Sequence, residues 1–154
     1  IIQGRPLGEG NSLVLSISPA WDTQRAPPGK RAITISTHTQ LQRWWHLHEH
    51  EPELYKLERQ RLKDRMLTAI EARIPAIRQS IDLLLDATPV TFSYFTGRES
   101  GWVGGFPQIN LFQVKPPRLS QNLWMVGDSI FPGQSTAAVA LGGLRVAESV
   151  VQHA

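Results

Sequence analysis

One stretch constrains the fold of this chain more than any other. Leu123-Trp124-Met125-Val126 runs into Gly127-Asp128, then Pro132-Gly133-Gln134, then an Ala-rich segment from Thr136 to Val150. The apolar run ending in glycine is expected as a short strand covered on both faces. Pro132-Gly133 breaks the chain, and Ser135 or Thr136 is a good N-cap for the helix that follows. A strand, a sharp turn carrying one carboxylate and an open helix start therefore come together. An anionic or electron-rich group suits such a start, while Asp128 accepts hydrogen bonds from ligand hydroxyls. Gly142-Gly143 within the helix costs about 1 kcal/mol each relative to alanine, so close backbone packing is the expected compensation.

The stretch resembles the C-terminal flavin-binding signature of FAD-dependent oxidoreductases of the phytoene-desaturase-like family, which includes carotenoid desaturases, isomerases and ketolases. The matching residues are Val126-Gly127-Asp128, Pro132-Gly133-Gln134 and Leu141-Gly142-Gly143-Leu144-Arg145-Val146-Ala147. A looser match runs upstream through Thr88-Pro89 and Gly101-Trp102-Val103-Gly104-Gly105. The resemblance implies that Asp128 binds the ribityl chain of FAD and that the helix start faces the pyrophosphate and flavin. The cofactor-contacting residues it implies are Gly127, Asp128, Pro132, Gly133, Gln134, Ser135, Thr136 and Ala137. It assigns no catalytic residue and no metal.

Flavoproteins of this kind also resemble one another in an N-terminal Gly-x-Gly-x-x-Gly loop that holds the pyrophosphate. Gly8-Glu9-Gly10 leads into a strand-like run rather than a helix, and Gly101-Trp102-Val103-Gly104-Gly105 has the wrong spacing. The chain also opens on Ile1-Ile2. The expectation is an incomplete fragment of a larger two-domain flavoprotein, inactive alone and not retaining FAD without the rest. Its fold class is then α/β (α+β). A β-sheet with a covering amphipathic helix belongs to the substrate-binding domain, over residues 1–90. The terminal strand and helix of a Rossmann-like FAD-binding domain fall in residues 91–154.

Three regions support this division. In the first, Leu13, Leu15 and Ile17 alternate with Ser12, Ser16 and Ser18, and Ile33, Ile35 and Thr37 repeat the period. Two half-buried antiparallel strands are expected, joined through Pro19 and Pro27-Pro28-Gly29. The second region begins with Pro52 at a favourable first helical position. Leu54, Leu57, Leu62, Met66, Ile70 and Ile74 then recur at three- and four-residue steps, giving an amphipathic helix with a basic outer face that Pro75 breaks. Residues 81–87 are expected as a strand, because Thr88-Pro89 disfavours helix there, and residues 90–95 as a helical turn. The third region is a Gly-rich loop, a Pro116-Pro117 connector and the strand and helix already described.

Composition excludes several classes. With 41% hydrophobic and 19% charged residues the chain is globular rather than disordered. No run reaches the eighteen or so apolar residues of a membrane span. Zero cysteines exclude disulfides, thiolate ligands and a thiol nucleophile. Gly127-Asp128-Ser129 lacks the Gly-x-Ser-x-Gly context of a hydrolase.

Other motifs carry less. His46-Leu47-His48-Glu49-His50 invites a metal reading but lacks a separated third ligand, so a solvated polar bend is expected. Trp44-Trp45 is expected in the core. Glu58, Asp64 and Glu71 dilute the basic face of residues 56–73, which reads as a solvated helix face. No aromatic residue is interleaved with those cations, so nucleic acid is not expected as a partner. Gly101-Trp102-Val103-Gly104-Gly105-Phe106-Pro107-Gln108 reads equally as a surface loop or as a segment near a planar ligand.

The expected partners are a long apolar carotenoid-like substrate and the missing N-terminal half of the same polypeptide. A peripheral membrane contact and self-association of the fragment stay open, and the location is cytoplasmic or peripheral to a membrane. The Pro132-Gly133-Gln134-Ser135-Thr136 form of the turn tilts the expectation toward phytoene dehydrogenase-like desaturation. The alternatives are isomerisation or ketolation within the same family, an amine-oxidase-like flavoenzyme, and a non-catalytic ligand-binding domain.

Overall fold

The computed structural model describes residues 4–103, 116–130, 133 and 135–153, and they form a small mixed α/β structure with four helices and two small sheets. The chain divides into two compact units, Ile1–Gly101 and Trp102–Ala154.

In the first unit, β1 (Val14–Ile17) and β2 (Ile33–Ser36) form an antiparallel pair with Leu15 opposite Ile35 and Ile17 opposite Ile33. The alternating pattern thus set both strands and their direction. Their burial differs from expectation: Ile17 is 47% exposed and Ile33 41%. The covering helix does not lie over them. The approach from that direction is at Gly10, where Leu62 and Arg65 of the long helix come close.

The core of this unit is helical. Helix α1 (Leu41–His50) buries Trp44 and Leu47, α2 (Pro52–Glu71) buries Leu67 and Ile70, and a 3-10 turn (Ile77–Ser80) buries Ile77. Trp44 meets Tyr55 edge to face at 5.7 Å, and its indole N–H donates to Thr39 Oγ1 at 2.7 Å. The indole of Trp45 donates to the Ser100 carbonyl at 2.9 Å. Helix α2 starts on Pro52 and ends before Pro75, as the ring geometry of proline requires.

Three expectations are corrected here. Residues 46–50 are the last turn of α1 rather than a bend, because Trp44 and Leu47 gain a core only if the helix runs through them. Residues 81–87 are not a strand, since among the described residues no strand lies beside them to take their hydrogen bonds. Residues 90–95 belong to a full helix, α3 (Pro89–Thr96). Its start is a reciprocal cap between Thr88 and Thr91, with proline in the first turn, and its end is Gly97 in the left-handed conformation. Buried Thr88 also hydrogen-bonds Tyr55 Oη at 2.7 Å, fixing α3 to α2.

In the second unit, β3 (Arg118–Ser120) pairs antiparallel with β4 (Leu123–Trp124), followed by the turn and by α4 (Thr136–His153). The expected doubly covered strand is corrected to a two-residue strand at a sheet edge. Leu123 and Val126 remain 54% and 59% exposed, because β4 has one strand neighbour among the described residues. The Trp124 indole donates to Ser149 Oγ of α4 at 3.1 Å, and the Arg118 guanidinium lies over the same ring at 5.5 Å.

Candidate functional site

The turn between β4 and α4 is built on two glycines. Gly127 has a φ of +131°, with open space where a side chain would project. Gly133 has a φ of +47°, and a Cβ there would stand 2.7 Å from the Asp128 carbonyl oxygen and 2.8 Å from that of Ile130. Only glycine permits both the left-handed backbone and so close an approach. The chain therefore folds back on itself, bringing the Asp128 backbone against the residue two positions before the helix cap. Ile130, 1% exposed, anchors the turn, and its Cδ1 reaches the Gly142 face of α4.

Ser135 is the N-cap. Its Oγ accepts the Ala138 N–H at 3.1 Å, its carbonyl accepts the Val139 N–H at 2.8 Å, and its own N–H donates to the Gly133 carbonyl at 2.9 Å. Ser135, Thr136 and Ala137 are exposed, whereas Asp128 is half-buried. The first helical N–H groups, of Thr136 and Ala137, have no acceptor within the helix, as in any α-helix.

Of the eight sequence-derived contacts, the structure brings together Gly127, Asp128, Gly133, Ser135, Thr136 and Ala137. Pro132 and Gln134 lie outside the described residues, as do Gly104, Gly105, Phe106, Pro107 and Gln108. The donor set has the right chemistry for a nucleotide carrying a polyol chain. A carboxylate accepts from hydroxyls, an exposed helix start attracts phosphate or an electron-rich ring edge, and Gly127 leaves an open approach. Sequence reasoning missed Ile130 as the anchor of the turn; its signal was a lone apolar residue between Ser129 and the Pro-Gly break.

The expected close backbone packing at Gly142-Gly143 is also corrected. A Cβ on Gly142 would stand 3.8 Å from Ile130 Cδ1, and one on Gly143 3.8 Å from Val126 Cγ2, both ordinary side-chain contacts.

Outside the turn, the cations of α2 are largely matched. Glu58 takes Arg43 at 2.7 Å and Arg61 at 2.8 Å, Lys56 pairs with Glu53, and Arg78 bridges Glu71 and Asp64. Arg59 grips both carboxylate oxygens of Asp86. Hydrogen bonds from Arg61, reinforced by Arg43, hold the Glu58 carboxyl below its ordinary pKa. Those from Arg59 do the same to Asp86. Among the described residues no group of three His, Cys, Asp or Glu could hold a metal ion, and no helix is long and apolar enough to cross a membrane.

Comparison with known proteins follows the same direction. The chain is 31% identical over 150 residues to prolycopene isomerase 2, chloroplastic, of an Oncidium hybrid cultivar, covering 90% of this chain. It is 30% identical over 144 residues to the prolycopene isomerase of Daucus carota and 31% identical to that of Arabidopsis thaliana, each covering 90% of this chain. The chain spans about a quarter of the length of these relatives, 23% to 24%. This homology supports the carotenoid-desaturase-like family without selecting a particular member. No family model and no solved structure matches the chain.

Proposed function

We propose that this chain is part of a flavin-dependent enzyme acting on carotenoid polyenes, with double-bond isomerisation preferred over desaturation. The named activity of the relatives favours isomerisation among the reactions that the resemblance left open. The observation that carries the cofactor reading is the closure of Asp128 and Ile130 carbonyls onto Gly133, immediately before a Ser135-capped helix.

In this reading Asp128 accepts hydrogen bonds from ribityl hydroxyls, and the start of α4 faces the pyrophosphate and flavin. Gly127 and Gly133 shape the turn, and Ser135 caps the helix; Pro132, Gln134, Thr136 and Ala137 complete the contacts that the resemblance implies. When bound, FAD supplies the electron-transfer chemistry; the protein supplies orientation and an apolar environment. Residues 1–90 contribute to the substrate-binding domain and residues 91–154 to the FAD domain, completed by the larger part of such an enzyme. A carotenoid has no polar handle at its reacting carbons, so the reading requires no acid–base pair from this chain. With the α2 cations matched by carboxylates, contact with a membrane would rest on exposed apolar side chains more than on this basic face.

The test is product analysis with a polypeptide containing this chain, supplied with FAD and a poly-cis carotene. The expected product has more trans double bonds and the same number of double bonds. A product with additional conjugated double bonds would assign desaturation instead and overturn the preference.

A further inference from the structure

We draw no further inference here: the strongest candidate, the exposed aromatic end of α3, where Tyr94 and Phe95 are 82% and 78% exposed and meet edge to face at 5.0 Å, carries nothing because nothing in the structure shows what covers it.

Discussion

The Asp128 carbonyl oxygen lies 2.7 Å from the point where a Cβ would stand on Gly133. That contact turns a strand end back on a helix start and places a half-buried carboxylate in the same turn. The fold and the proposed cofactor contact depend on the same glycine.

Gly133→Ala is accordingly expected to be costly. The new methyl meets two carbonyl oxygens below 3.0 Å on a left-handed backbone, so a loss of about 2 kcal/mol or more is expected. Gly142→Ala should behave oppositely, since its Cβ finds Ile130 Cδ1 at 3.8 Å and helix propensity improves. A gain of up to about 1 kcal/mol is expected. Urea unfolding of both variants checks the pair, and equal effects of one sign would contradict the described geometry.

Ser135→Ala removes the acceptor of the Ala138 N–H. The first turn of α4 should fray, at a cost of about 1 kcal/mol. Hydrogen exchange should accelerate over residues 136–139 and remain unchanged in the last turn of the helix. Uniform acceleration along α4 would show that the cap is not what holds its start.

Acid should weaken the anchor between α2 and residues 86–88. The Arg59 hydrogen bonds hold Asp86 below its ordinary pKa, and the charges of Arg59 and Lys63 act in the same direction. A folded-state pKa depressed below the unfolded one contributes stability that is complete above the unfolded value, about 4. It is lost as pH falls through the folded value. Glu58 has the same sign. Asp86→Asn should cost about 1 kcal/mol near neutrality, modest because solvent reaches Arg59 at 39% exposure. The variant should also show a shallower acid limb in denaturant unfolding, and an unchanged limb would exclude Asp86 as a contributor.

The elements legible in the sequence are those specified locally. Alternation marked β1 and β2, Pro52 marked the start of α2, and the Ser135–Thr136 pair marked that of α4. Helix α1 was not legible, because its start depends on a distant residue. The carboxylate of Glu9 accepts Thr39 Oγ1–H at 2.8 Å and the Gln40 N–H at 2.9 Å. Nor do residues 81–87 and 123–126 become full strands on their apolar content alone, since a ladder needs neighbours on the correct edge. In the site, the residue types at Asp128 and Ser135 were readable. The approach of two carbonyls to Gly133 and the anchoring by Ile130 arise only when the turn closes.

Flavin retention by a polypeptide containing this chain is the most direct measurement of the cofactor claim. The unaltered protein should co-purify with yellow flavin absorbance, and Asp128→Ala should weaken FAD binding by about 1.5–3 kcal/mol, roughly ten- to a hundredfold, if a charged hydrogen bond is lost. Undiminished FAD affinity in a folded Asp128→Ala protein would contradict the account.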